Sequence, residues 1–218
     1  SYRFVFLPET IGSIYYLSKN LNNMKKHIIA GFNLTCVGDN REYSFLPSKY
    51  GNSLADKVSL KLLRKSIKKF KTYTWLERGS DERQYCSPGV NLPIASIMRS
   101  KYHTYKEYHT SGDNLKDVVT AKGLNESFNL FSEVIKEFEN NLFPITKVFC
   151  EPNLGKRNLY PKLTNGNKKK KKFSKDLFNF KKYFDGSNSI EEIAKKIKLK
   201  KSNTINIYKL LTKMKIVY

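Results

Sequence analysis

Short apolar runs closed by proline or glycine alternate, over residues 1–150, with longer segments whose apolar side chains recur every three to four positions. No other feature constrains the fold as strongly, because strand and helix in alternation bury best as a mostly parallel sheet flanked by helices. Residues 2–7 are nearly continuous in aromatic and apolar side chains and stop at Pro8, the pattern of a central strand. Ile11, Ile14, Tyr15, Leu17, Leu21 and Met24 then follow at helical spacing. Residues 27–37 predict a second strand, and residues 43–46 a shorter one after the turn Gly38-Asp39-Asn40. A helix with a basic outer face follows around Val58, Leu62, Leu63 and Ile67. Residues 73–76 and 92–98 read as further strands, 81–85 and 99–113 as polar loops, 121–142 as a helix and 146–150 as a last strand.

The second part of the chain differs in composition. Residues 151–172, rich in Pro, Gly and Asn and ending in Lys168-Lys169-Lys170-Lys171-Lys172, read as a solvated linker, since adjacent like charges repel one another. Within 173–218, Leu177, Phe178, Phe180 and Phe184 mark one amphipathic helix. Ser189 with Glu192 three residues on is a capping box opening a second helix, and residues 205–214 make a third before Ile216-Val217. Three short helices and a terminal strand predict a winged helix-turn-helix.

The formal net charge is +22, from 41 Lys and Arg against 19 Asp and Glu, and 17 Lys against 4 acidic residues follow Tyr160. Such a field attracts nucleic acid or other polyanions. A Lys-, Asn- and Ile-rich composition explains it as well, because net charge argues about association rather than about fold. Cys36, Cys86 and Cys150 form no CxxC pair, so neither a disulfide framework nor a cysteine zinc site is predicted. With no membrane span and no signal peptide in view, the expected compartment is the cytoplasm. Ser1 stands without an initiator Met before an apolar run that needs neighbours on both sides, which suggests part of a longer domain.

Open α/β sheets bind ligands at the carboxyl ends of their strands. Glu9, the segment from Asp81 to Tyr85, and Tyr108-His109-Thr110-Ser111-Gly112-Asp113 all fall at such ends, and their convergence is the central functional expectation. Glu9 suits a general base, or equally an acidic residue favoured at a helix N-terminus. His109 suits a metal ligand with Asp113 as its outer partner, or an ordinary loop histidine. Asp81, Arg83 and Tyr85 are candidates for substrate contact, with a structural Asp81 to Arg83 ion pair as the alternative.

Four blocks resemble the zinc aminopeptidase family. Pro8-Glu9-Thr10-Ile11-Gly12-Ser13 looks like its Glu-Glu-x-Gly turn, and Asn33-Leu34-Thr35-Cys36-Val37-Gly38 like its Asn-Leu-Asp-Met-x-Gly strand end. Gly79-Ser80-Asp81 with Pro88-Gly89-Val90-Asn91-Leu92-Pro93 resembles its Ser-Asp-His loop and the strand beyond, and Tyr108-His109-Thr110-Ser111-Gly112-Asp113 its Tyr-His-Thr-x-x-Asp. Glu9-Thr10-Ile11-Gly12-Ser13, Arg78-Gly79-Ser80-Asp81-Glu82-Arg83-Gln84-Tyr85 and Glu151-Pro152-Asn153-Leu154-Gly155-Lys156-Arg157 resemble phrases of a bacterial branch with a C-terminal winged helix, associated with polysaccharide biosynthesis. By position the resemblance implies Glu9 as base and His109 as the last zinc ligand. Thr10 and Thr35 stand where the family has zinc-binding carboxylates, and the remaining ligands would lie upstream of Ser1.

The implied function is a zinc-dependent aminopeptidase-like hydrolase of a small peptide or amide beside a free amine, with residues 1–150 as a partial catalytic domain. A non-catalytic protein that senses a ligand and touches DNA through a basic winged helix is the alternative. Docking of that helix on the catalytic domain is the preferred reading over nucleic-acid contact.

Overall fold

Arg99, Ser100 and the whole strand before them are buried, and the sheet is built outward from that strand. The computed structural model describes residues 1–148, 150, 153, 155–157, 159 and 168–217. The chain divides into two units, Ser1–Glu137 and Phe138–Tyr218.

In the first unit, helix α1 (Ile11–His27) is followed by β1 (Gly31–Phe32), β2 (Ser44–Leu46), α2 (Leu54–Ser66), β3 (Lys71–Thr72), α3 (Glu82–Tyr85), β4 (Ile94–Met98) and α4 (Ala121–Asn140), whose last three residues pass the boundary at Glu137. The sheet order is β1-β4-β2-β3. β4 pairs in parallel with β1, placing Gly31 opposite Ile94, and antiparallel with β2, placing Phe45 opposite Ile97; β2 and β3 are parallel. The sheet is therefore mixed, with helices flanking it. All five residues of β4 are buried, as a strand covered on both faces requires.

α2 begins where Ser53 and Asp56 bond reciprocally, and Asp56 also accepts from the amide and hydroxyl of Ser48. The helix buries Leu54, Ala55, Val58, Leu62 and Leu63, and packs against β4. α1 turns Leu17 and Met24 toward Cys86, Leu92 and Ile94. At α4 the backbone approach is closest: a Cβ on Gly123 would stand 2.0 Å from the Gly38 carbonyl oxygen, so the helix seats there only through a glycine.

Several elements differ from the periodicity-based expectation. Residues 2–7 form no strand, and Phe4 and Phe6 are 71% and 92% exposed. An apolar run becomes a central strand only when ladder partners flank it, and no strand among the described residues pairs with this one. Of the second predicted strand, 27–37, His27 belongs to α1 and only Gly31–Phe32 find ladder partners, in β4. Residues 73–76 do not make a strand: Trp75–Glu77 is a 3-10 turn capped reciprocally by Thr74 and Glu77. The segment 81–85, expected as loop, contains the short helix α3.

The second unit holds α5 (Lys168–Lys181), α6 (Ile190–Lys196) and α7 (Lys201–Lys213). The lysine run expected in a linker is the first part of α5. Leu177, Phe180 and Phe184 pack with Ile190, Ile193, Ile207, Leu211, Ile216 and Val217 into a separate core. The capping box at Ser189 and Glu192 opens α6, with the Glu192 amide donating to Ser189 Oγ at 3.3 Å. Antiparallel bridges join Ile145 to Asp185 and Thr146 to Val217. Of the last predicted strand, 146–150, residue Phe149 lies outside the described residues. Among the described residues no helix is long and apolar enough to cross a membrane.

Candidate active site

β1 and β4 run in parallel, so the chain leaves both at the same end of the sheet, where such folds place their ligands. Residues 35–39 follow β1 there, residues 99–113 follow β4, and the two are tied by the Arg99 amide donating to the Cys36 carbonyl at 2.8 Å. Between them opens a cleft of ≈ 330 Å³ lined by Glu9, Thr35, Cys36, Asp39, Ser80, Tyr102, Tyr105, Tyr108, His109 and Asp113, with Val118, Val119 and Leu124 on its apolar side. Glu9 and His109 thus face one cavity although they stand 100 positions apart in sequence.

Glu9 arrives by an unusual turn. Thr10 has φ 62 and ψ −69, and the Ile11 amide donates to the Glu9 carbonyl at 2.7 Å, which together define a γ-turn of the rare, strained hand. A β-branched residue held there costs about 1–3 kcal/mol and persists only where its surroundings over-determine it. The Glu9 carboxylate is exposed and accepts from Ser80 Oγ at 2.9 Å. Asp81 Oδ1 accepts from the Thr10 amide at 2.7 Å, and Arg83 Nη2 donates to Thr10 Oγ1 at 2.9 Å. Asp81 and Arg83 therefore reach Thr10, and neither lines the cleft. Tyr85 packs beside Leu17 and Cys86 instead, where burial pushes its phenol above the usual value.

His109, with φ 59, lies exposed and stacked on the Tyr108 ring at 4.0 Å between centroids. Burial, reinforced by the charges of Cys36, Glu9 and Asp113 and opposed by Arg83, raises the Tyr108 phenol, which stays protonated and can donate. Asp113 accepts from the Tyr105 hydroxyl at 2.7 Å. Burial first, and that bond next, push the Tyr105 phenol far up.

Three structural groups of this site escape a reading by motif. Glu82 is 0% exposed, and its carboxylate accepts from the amides of Gly79 and Ser80, from Tyr102 Oη at 2.7 Å and from Asn33 Nδ2 at 2.8 Å. Asp39 accepts from the Arg41 amide and from both the amide and hydroxyl of Ser100. Lys101 is buried with Nζ 4.1 Å from the Tyr102 ring centroid, and burial lowers its ammonium below the usual lysine value against the pull of Glu77 and Glu82. Only the acidic residue type of the first two was visible beforehand; Asn33 and Tyr102, which hold Glu82, and Ser100, which holds Asp39, are distant in sequence.

Zinc, which the family resemblance implies, fits these residues poorly. A catalytic zinc takes three protein ligands and keeps one position open. Among the described residues no group of three or more His, Cys, Asp and Glu side chains is placed to hold a metal ion. The Thr10 hydroxyl is engaged by Arg83, and Thr35 Oγ1 points at Cys36 Sγ, 3.7 Å away.

Comparison with known proteins agrees with this architecture. A relative from Clostridium acetobutylicum, described as a "Putative polysaccharide biosynthesis protein with aminopeptidase-like domain", is 42% identical over 167 residues, which are 76% of this chain and 38% of the relative. A crystal structure described as a "putative peptidase" from the same organism matches with a TM-score of 0.61 and 34% identity, over 97% of this chain and 46% of that one. The chain spans less than half the length of either. Its class is an α/β unit with peptidase-like relatives joined to a winged helix-turn-helix, whose family model matches residues 143–218. Residues 1–141 match the family described as "Domain of unknown function (DUF4910)", and the chain belongs to that family.

Proposed function

We propose that this chain carries the substrate cleft and general base of an aminopeptidase-like hydrolase, acting on an amide bond beside a free amine. One observation carries the reading: Glu9, from the segment before α1, and His109 and Asp113, from the loop after β4, line a single cleft at the carboxyl ends of two parallel strands. The lining supplies three carboxylates, Glu9, Asp39 and Asp113, and includes no Lys or Arg among the described residues, in a chain of net charge +22. A recess of this sign within a basic protein favours an ammonium-bearing ligand and repels nothing it needs to bind. Peptidase-like relatives agree with the class of reaction.

Glu9, steadied by Ser80 Oγ, is the group free to take a proton from a water entering the cleft. The Tyr108 hydroxyl and the His109 imidazole are the neighbouring donors for oxygen charge developing on the scissile carbonyl. Zinc enters the proposal only through His109, the one imidazole in the lining. With a single such ligand, the purified protein is expected to hold well below one zinc per chain, and His109→Ala to lower what remains.

Turnover of an aminoacyl 4-nitroanilide tests the base. Glu9→Gln should lower kcat by about 10²–10⁴-fold, and an unchanged rate in that variant removes Glu9 from the mechanism.

A second reading, nucleic-acid contact by the winged helix, is favoured by α7. Its exposed face offers Lys201, Ser202, Asn203, Asn206, Lys209 and Lys213, and the helix contains no acidic residue.

A further inference from the structure

We infer that Asp81 and Arg83 are positioning residues, which hold the strained turn at Thr10 and thereby set where the Glu9 carboxylate stands; the inference rests on Glu9 being the base. The two side chains approach one residue from 71 and 73 positions away in sequence. Asp81 accepts from the Thr10 amide and Arg83 donates to the Thr10 hydroxyl, while Ser80, next to Asp81, donates to Glu9 Oε1. Three of four consecutive residues thus act on the dipeptide Glu9-Thr10.

The fourth residue secures the other three. Glu82 turns inward and fastens the Gly79 and Ser80 amides to Tyr102 and Asn33, so the clamp stands on a buried, fully bonded carboxylate rather than on a free loop. The grip is directed at a residue that needs it. Thr10 has φ 62 and ψ −69, a region that a β-branched residue occupies only under external constraint, whereas glycine enters it freely. Were the turn to relax, the Glu9 carbonyl would lose the Ile11 amide and the carboxylate would swing relative to His109, and displacements of about 1 Å suffice to cost about 100-fold in rate.

A plain helix-capping role for Asp81 at the N-terminus of α1 makes a different prediction, because charge near a helix end acts whatever conformation Thr10 adopts. Glycine at position 10 separates the two. In the full chain, Asp81→Ala should speed amide exchange at Ile11 by at least about 10-fold, leaving residues 17–24 of α1 protected. Adding Thr10→Gly to Asp81→Ala should return Ile11 to within about 3-fold of the parent. Asp81→Asn, which keeps an oxygen acceptor, should stay near the parent. Unchanged Ile11 exchange in Asp81→Ala, no recovery with Thr10→Gly, or Asp81→Asn as damaging as Asp81→Ala would each overturn the clamp.

On the aminoacyl 4-nitroanilide, Asp81→Ala and Arg83→Ala should lower kcat about 10- to 100-fold with KM within about 3-fold. A rise in KM at constant kcat would instead make them substrate contacts. Absence of turnover in the parent sinks the assignment of Glu9 as base, and the exchange measurements still decide whether the clamp exists.

Discussion

Glu82 shows how much a single buried carboxylate can organise. It meets four donors from Asn33, Gly79, Ser80 and Tyr102, so removing it strands buried groups from three segments at once. Glu82→Ala should cost about 3 kcal/mol or more in urea unfolding, since each orphaned buried polar group costs about 1–3 kcal/mol. Glu82→Gln should cost less yet remain destabilising, because its amide nitrogen must face a donor. The phenols carry a pH signature. Tyr105 is raised in the folded state by burial and Asp113, so its contribution is complete below the unfolded value of about 10 and is lost as pH rises above it. Tyr105→Phe should therefore unfold with a shallower loss of stability between pH 9 and 11 than the parent; equal slopes would contradict the assignment. Glu9, His109 and Asp113 were singled out by residue type and all three line the cleft, although the run before Glu9, residues 2–7, forms no strand. Glu82 and Asp39 were not, because their meaning lies in partners up to 61 positions away.

Among elements, those whose ends are fixed locally were the readable ones. The capping box at Ser189 and Glu192 opens α6 as its spacing predicts, and Ser189→Ala should cost about 1 kcal/mol. The same signal was present in Thr74 with Glu77, where the aromatic run suggested a strand and the cap instead makes a 3-10 turn. Residues 2–7 mark the opposite limit: an apolar run states that it wants neighbours, and whether it finds them is a matter of the sheet. α4 depends on a contact that no local pattern announces. Gly123→Ala would press a methyl group onto the Gly38 and Asp39 carbonyls, which a Cβ would approach to 2.0 and 2.5 Å. Overpacking against backbone costs about 1–3 kcal/mol, and it should also shift the wall that carries Leu124. A thermal midpoint equal to the parent's would show that the helix does not need this approach.

At the scale of the whole molecule, the basic helix α7 and the carboxylate-lined cleft fall in different units, and the two proposed roles are tested apart. If α7 meets duplex nucleic acid, replacing Lys209 and Lys213 by Gln should reduce the slope of log affinity against log salt by about 2. An unchanged slope would leave α7 out of the contact. The cleft itself is tested without reference to that helix. Leucinamide, added to the protein with its histidine side chains observed by NMR, should move the His109 imidazole signals, and N-acetyl-leucinamide, which lacks the ammonium group, should move them at least about 10-fold less at equal concentration. Equal responses to the two, or none at His109 in either, would contradict an amine-selective cleft shared by Glu9 and His109.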